Sequence, residues 1–289
     1  ALLAAGALWN KIYSLIGKRT ALYLLALAIF GVLLYITSLS RQGNENTLVD
    51  YTYVYRDAMN LATGGTLEYT DYFVTYSNNL KPMLLLSVWF RVAVLLGISP
   101  FHFVLLRNVL LVLLVVWACG YLTEQKGDCR WRFPILLTFA FLLPLWDMVS
   151  VFYTDSMSFG LGILTLALLK KAGSTKTNKG KILWSVLAGV TTILAIIWKI
   201  TAIIPLIACT MILLWQREKA DRHVILSLVV SVIVFGVGLQ LWANTYDVTR
   251  KAAVTANPVI SWVALGMKED GSWTNNTELV EQMYQFSTK

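Results

Sequence analysis

Charged residues are scarce in this chain: Asp, Glu, Lys and Arg make up 14% of its 289 residues, against about 25% in a typical soluble domain. Hydrophobic residues make up 57%. Several apolar runs reach the roughly 20 residues that a helix needs to cross the hydrocarbon of a bilayer. The shortage of charge therefore excludes an ordinary soluble domain and predicts an all-α polytopic membrane protein in contact with the lipid bilayer.

Cysteine and histidine are also scarce. The three cysteines form no CxxC motif and no evident disulfide pair, and His102 and His223 stand alone beside apolar runs, so no structural metal site is predicted. The chain lacks a DxD motif and a large soluble α/β segment, which argues against a cytosolic nucleotide-sugar domain. The formal net charge of +8 lies mostly between apolar runs, where it predicts cytoplasmic loops that face anionic lipid rather than a nucleic-acid partner.

Seven apolar runs are predicted to span the membrane. They are Ala21–Leu39, Phe101–Leu122, Phe133–Trp146, Ser156–Leu169, Ile182–Trp198, Thr201–Trp215 and His223–Ala243. Lys11, Lys18 and Arg19 precede the first run, so we expect a cytoplasmic N-terminus. Residues 1–243 are predicted to form one transmembrane module. Residues 244–289 are expected to form an extracytoplasmic segment, a candidate start of a longer C-terminal region.

The segment Lys81–Leu96 decides the topology. If it crosses the membrane, the basic loops Glu124–Arg132 and Lys170–Lys181 fall on the side opposite to the N-terminal lysines. If it lies in the outer interface as an amphipathic helix, every basic loop faces the cytoplasm, as the positive-inside rule favours. We therefore predict an interfacial helix here, within a first extracytoplasmic loop over residues 40–100.

This topology gathers charged residues at the outer edge of the membrane, where they are costly and hence functional candidates. They are Asp50, Asp57, Lys81, Asp155 and Lys199. Structural explanations remain open: Asp50 and Asp155 suit helix N-caps, and interfacial lysines reach lipid headgroups. For Asp57 we expect a solvated helix face or an ion pair with Arg56 or another nearby cation. For Arg107 we expect a headgroup contact or an ion pair with a carboxylate.

The order of these residues resembles that of the GT-C glycosyltransferases, in particular the branch that contains the protein O-mannosyltransferases and the lipid A aminoarabinose transferases. In that branch an Asp after the first membrane helix opens a D…A…L…G pattern, which here is Asp50…Ala58…Leu61…Gly64. The pattern lies on a predicted helix, Tyr51–Ala62, that the Gly-Gly pair after it ends.

The resemblance continues over nearly the whole chain. Lys81-Pro82 stands where the family has a Lys-Pro or His-Pro before an interfacial helix, which here ends near Gly97. Arg107 lies early in the second span, Asp155 opens a later one, and Lys199 precedes a hydrophobic helix. The family's frequent Asp-Glu pair is Asp-Tyr here, and an acidic residue before the Lys-Pro, a metal ligand in some relatives, is a leucine.

This resemblance implies an inverting glycosyltransferase of a bacterial plasma membrane, which moves a sugar from a polyprenyl-phosphate donor to a hydroxyl of an extracytoplasmic glycan, lipid or protein. It implies that Asp50 is the catalytic base and that Lys81 and Lys199 bind the donor phosphate. Supporting roles fall to Asp155, Asp57 and Arg107, and candidate sugar or acceptor contacts are Tyr76, Asn78 and Asn79. No cofactor is required, because lysines can stabilise the phosphate; a divalent metal stays open.

Two other functions fit the same composition. A transporter or flippase for a lipid-linked intermediate would account for the helices and the membrane charges, although such proteins often contain paired halves with interrupted helices and this chain shows no repeat. A non-catalytic assembly subunit for lipid-linked glycans would not need the series of acids and lysines. Both remain alternatives.

Overall fold

The computed structural model describes residues 20–40, 49–124, 128–204, 207 and 222–255. Within these ranges every element of regular secondary structure is a helix, and no strand is found. The α-helices are α1 Thr20–Leu39, α2 Val49–Ala62, α3 Thr70–Thr75, α4 Leu80–Leu95, α5 Pro100–Thr123, α6 Arg132–Phe141, α7 Leu143–Met148, α8 Thr154–Ser158, α9 Leu161–Ser174, α10 Asn178–Trp198, α11 Arg222–Ala243 and α12 Asp247–Thr255. Short 3₁₀ helices cover Ser77–Asn79 and Ile200–Ile203.

Among the described residues, four helices are long and apolar enough to cross a membrane: α1, α5, α10 and the part of α11 from Val224 to Ala243. Their outer faces expose large aliphatic side chains, such as Leu25 and Ile29 of α1, which is the arrangement expected where lipid rather than water is the solvent. These helices match four of the predicted spans. The all-α membrane class is therefore confirmed, whereas a module of seven spans is not.

The predicted span Phe133–Trp146 is wrong as one continuous helix, because α6 ends at Phe141 and α7 begins at Leu143. Pro144 occupies the first turn of α7, where its missing N–H costs no hydrogen bond; within a continuous helix it would remove one. The predicted span Thr201–Trp215 begins as a 3₁₀ turn, and most of it lies outside the described residues.

The predicted span Ser156–Leu169 is also divided, between α8 and α9. Gly160 separates them with φ of +62°, a left-handed conformation that favours glycine. A Cβ atom at this position would overlap the side chain of Val115 on α5. The break therefore permits a close approach between this segment and α5, which a continuous helix with larger residues would prevent.

The first loop contains two of the helices that surround the site. The predicted helix Tyr51–Ala62 corresponds to α2, and Gly64 after it has φ of +89°. The predicted interfacial helix corresponds to α4, whose 16 residues are fewer than the roughly 20 that a spanning helix needs. Its first half is buried against the rest of the protein and its second half exposes Val88, Val92 and Leu95. Its position in the membrane interface stays a prediction.

Helix α5 lies at the centre of the packing: α1, α4, α6 and α9 all contact it. Asn108 on α5 is buried and donates to the carbonyl oxygen of Val149 at 3.0 Å, which ties the segment before α8 to the centre. Helix α10 packs between α9 and α11. It approaches α11 closely at Gly189, where a Cβ atom would overlap Ser231, a small-residue contact typical of membrane helices.

Candidate functional site

A cavity of about 630 Å³ brings Asp50 together with both predicted phosphate-binding lysines, Lys81 and Lys199. Tyr76, Asn78 and Asn79, the candidate sugar or acceptor contacts, also line it. The lining comes from α2, from the junction between the 3₁₀ turn and α4, from the start of α8, from the end of α10 and from α11. Residues far apart in sequence thus meet in one place, although their roles stay predictions.

Asp50 lies in the first turn of α2 and Asp155 in the first turn of α8. Since each is inside its helix, the interpretation of these residues as N-caps is wrong. The carboxylate of Asp50 accepts hydrogen bonds on both oxygens: Tyr72 Oη donates to Oδ1 at 3.0 Å and Tyr153 Oη donates to Oδ2 at 3.4 Å. Two phenols from different segments therefore fix the orientation of the carboxylate at the cavity.

Lys81 lies in the first turn of α4, where a cation opposes the positive end of the helix dipole. Its side chain is half-buried, and burial lowers the pKa of its ammonium group below the usual value. In the part of the chain that the structure describes, no carboxylate lies within ion-pair distance of it. A desolvated cation without an internal counter-ion is suited to bind an anionic ligand in the cavity.

Lys199 follows the last residue of α10 in an extended conformation and forms an ion pair with Asp155. The side chains of Lys199 and Asp155 are 44% and 60% exposed. An ion pair this exposed stabilises a protein by about 0–1 kcal/mol. Lys199 can therefore exchange Asp155 for an anion in the cavity at little cost.

Asp57 does not line the cavity, and both expectations for it are wrong. Its side chain is fully buried, and its two oxygens accept the backbone N–H groups of Glu68 at 2.9 Å and Tyr69 at 3.0 Å. Burial is the main cause that raises the pKa of its carboxyl group. Arg56 instead donates to the hydroxyl of Tyr69 at 3.0 Å. Asp57 thus folds the loop after Gly64 back onto α2, because the backbone donors of that loop need an acceptor.

Arg107 is directed into the protein. Its Nη1 atom donates to Oδ1 of Asn108 and to the sulfur of Met157, both at 2.9 Å, and its Nη2 atom donates to the carbonyl of Met157 at 3.3 Å. Its guanidinium group also lies over the ring of Trp89. Among the residues with described positions no carboxylate pairs with it, so the expected ion pair is wrong. Arg107 does not line the cavity, and its hydrogen bonds to Met157 connect α5 to α8.

Part of the cavity lining is apolar. Ile193, Ile196 and Ile197 of α10 line it together with Leu239 of α11. Gly236 of α11 also lines it, and a Cβ atom there would lie 3.3 Å from Cδ1 of Ile193, so the two helices approach closely at this point. The cavity therefore combines an end that bears an acid and two lysines with a side suited to a hydrocarbon chain.

The described ranges contain no group of three or more His, Cys, Asp or Glu side chains arranged to hold a metal ion. The contacts of Tyr72 and Tyr153 with Asp50 were not predicted from the sequence. Tyr72 belongs to a visibly Tyr-rich stretch and Tyr153 comes two residues before Asp155, but no spacing indicates that both contact Asp50. Tyr72 lies 22 positions from Asp50 and Tyr153 lies 103 positions from it, so only the fold reveals the contacts.

A family model described as a conserved hypothetical integral membrane protein matches residues 5–289. The chain therefore belongs to this family of integral membrane proteins, and the lipid bilayer is its partner. No curated protein and no solved structure matches the chain. The family description gives no activity, so the chemistry of the cavity must carry any assignment of function.

Proposed function

We propose that this integral membrane protein is a glycosyltransferase of the GT-C type, which uses a polyprenyl-phosphate sugar as donor and an extracytoplasmic hydroxyl as acceptor. The observation that carries the proposal is the shared cavity of Asp50, Lys81 and Lys199, beside an apolar wall from α10 and α11. A donor of this class has a sugar, a phosphate and a hydrocarbon chain in that order. An acid, two cations and an apolar groove correspond to these three parts.

In the proposed reaction the acceptor oxygen attacks the anomeric carbon of the sugar while Asp50 takes the proton of the acceptor hydroxyl. The bond between the anomeric carbon and the phosphate oxygen breaks, and its electron pair leaves with the polyprenyl phosphate. A single displacement of this kind inverts the configuration at the anomeric carbon. Lys81 and Lys199 stabilise the charge on the leaving phosphate, and no metal ion is needed for that task.

The proposal places the cavity outside a plasma membrane and the N-terminus in the cytoplasm. Its support is the distribution of lysine and arginine between the helices. Helix α10 has 21 residues and hence a length of about 30 Å, so its two ends can reach opposite faces of a bilayer. The cavity lies at its C-terminal end, and the basic connection before Asn178 lies at its N-terminal end.

The test is consumption of donor by the purified protein in lipid nanodiscs, with a panel of polyprenyl-phosphate hexoses and with free polyprenyl phosphate as the measured product. A general base contributes about 10²–10⁴-fold to a rate, so Asp50→Asn should lower turnover by at least 100-fold while donor binding is kept. Asp71→Asn is the matched control, because Asp71 is an exposed acid of the same loop that does not line the cavity.

Three results would count against the proposal. Full turnover by Asp50→Asn would remove the base from the mechanism. Movement of intact donor across the bilayer without cleavage would identify a flippase or transporter. If the wild-type protein neither cleaves nor moves any donor of the panel, the activity belongs elsewhere, as expected of an assembly subunit.

A further inference from the structure

We propose that Asn79 is a positioning residue that acts through Tyr72 and Tyr153 to orient the carboxylate of Asp50. The inference rests on the proposed function, since it concerns the same base. It gives Asn79 a role different from the substrate contact predicted from the sequence. The contacts of its amide group carry the inference.

The amide of Asn79 uses all its donors inside the protein. Its Nδ2 atom donates to the hydroxyl of Tyr72 at 2.6 Å and to the hydroxyl of Tyr153 at 3.2 Å, and an amide nitrogen has two N–H groups to give. Its Oδ1 atom accepts from Nδ2 of Asn78 at 3.2 Å, which fixes the direction in which the amide points. Asn79 is 2% exposed, so it has neither the surface nor the donors for a substrate.

The direction of the remaining hydrogen bonds follows from this arrangement. Each phenol accepts an N–H from Asn79, and its own hydroxyl hydrogen is then directed to an oxygen of Asp50. The result is a closed ring of hydrogen bonds, in which the amide of Asn79 donates to both phenols and both phenols donate to the carboxylate of Asp50. Burial raises the pKa of Tyr153 to about 12 and raises that of Tyr72 as well, so both phenols remain donors at neutral and mildly alkaline pH.

The ordinary structural role for an asparagine at this position does not apply. Asn79 occupies the N-cap position of α4, and asparagine is favoured there because its side chain caps the helix. Its side chain makes no capping hydrogen bond. The amide is instead directed across to segments before and after α4, at Tyr72 and Tyr153, so its contacts serve the cavity and not the helix end.

The test is Asn79→Asp, which keeps the size of the side chain and replaces the donating nitrogen by an acceptor oxygen. The hydroxyl groups of Tyr72 and Tyr153 can then donate to the new carboxylate instead of to Asp50. Because small misplacements of a catalytic group cost on the order of 100-fold in rate, we expect kcat to fall about 10- to 100-fold with KM for the donor changed less than 3-fold. Asn178→Asp, the same change at the exposed start of α10, should leave kcat unchanged.

A double-mutant cycle separates positioning from a merely structural role. In a Tyr72→Phe/Tyr153→Phe background the phenol hydroxyls are absent, so Asn79→Asp should lower kcat by less than a further 2-fold. An undiminished further loss in that background would overturn the inference. If Asp50→Asn is inactive but Asn79→Asp retains wild-type kcat, this inference fails alone. If Asp50→Asn retains full turnover, both the role of Asp50 as base and the role of Asn79 in positioning it are refuted.

Discussion

Two exposed lysines at opposite ends of the α9–α10 hairpin have very different partners. Lys170, near the end of α9, donates to the carbonyl oxygens of Tyr121, Leu122 and Glu124 at 2.8–3.0 Å and lies over the ring of Tyr121. The three hydrogens of its ammonium group thus meet the negative end of the α5 dipole. Lys199, at the end of α10, lies at the cavity and forms an ion pair with the exposed carboxylate of Asp155.

Lys81 extends this contrast. Lys81 lies at the N-terminal end of α4, where the helix dipole disfavours a cation; it is half-buried, and desolvation lowers its pKa. The ammonium group of Lys170 instead lies at the C-terminal end of α5, and its three hydrogens donate to backbone carbonyls. Positions that cost stability are retained where they serve binding or catalysis. Under the proposed function, Lys170 stabilises the fold and Lys81 binds the ligand, and the same substitution at both positions tests that division.

The largest effect is expected from Lys81→Met. Loss of the cation should weaken binding of farnesyl phosphate, a short polyprenyl phosphate, by about 10- to 100-fold, because a charge-assisted hydrogen bond contributes about 1.5–3 kcal/mol. The melting temperature should stay the same or rise, since the variant removes a half-buried charge for which the described residues supply no ion-pair partner. Thermophoresis and thermal melting in detergent measure the two quantities. Unchanged binding would remove Lys81 from the phosphate site.

Lys170→Met should show the opposite pattern. Its three hydrogen bonds to backbone carbonyls are solvent-exposed, so we expect a loss of about 1–2 kcal/mol of stability after allowance for screening. The melting temperature should fall, and the affinity of the folded protein for farnesyl phosphate should stay within 2-fold of wild type. A large loss of affinity here would contradict the division between the two regions.

Asp155→Asn should have a smaller effect in the direction of tighter binding. It frees Lys199 from its ion pair while keeping the shape of the side chain, and exposed pairs of this type contribute about 0–1 kcal/mol. We expect the affinity for farnesyl phosphate to rise by about 2- to 5-fold. Weaker binding in this variant would indicate that Asp155 orients Lys199 for the phosphate and does not compete with it.

The smallest effect is expected from raising the pH from neutral to 10.5, the ordinary pKa of a lysine. The phosphate has a second pKa near 6 and keeps its charge throughout this range. The pKa of Lys81 is lowered, so its cation is fully present at pH values below that pKa and is lost as pH rises through it. The affinity for farnesyl phosphate should therefore decline within this range. The affinity of the Lys81→Arg variant should not change over this range, because a guanidinium group keeps its proton there.

The sequence predicted part of the fold and part of the site, for identifiable reasons. Apolar length located α1, α5, α10 and α11, because crossing hydrocarbon is a property of a single continuous segment. Pro144 indicated the break between α6 and α7, but the high hydropathy of the whole run led to the prediction of one continuous span. Gly160 carried no such signal, because its need for a glycine arises from contact with Val115 of another helix.

The charged residues divide in the same way. The order of Asp50, Lys81 and Lys199 along the chain predicted a group that the fold does bring to one cavity. For Asp57 the expected solvated face or ion pair was wrong, because its oxygens accept from backbone donors of a loop whose path the sequence does not specify. Polar partners are chosen by proximity in three dimensions, and composition says little about that.

By itself, the sequence determined that this is a helical protein of the membrane and which segments are apolar enough to cross it, because hydrophobic transfer adds up residue by residue along one helix. The tertiary structure decided that Asp50 accepts from Tyr72 and Tyr153. It also decided that Lys170 donates to backbone carbonyls while Lys81 lines the cavity. Those outcomes depend on hydrogen bonds between segments as much as 103 positions apart. No local pattern can specify such bonds, because each partner is placed by the packing of a different helix.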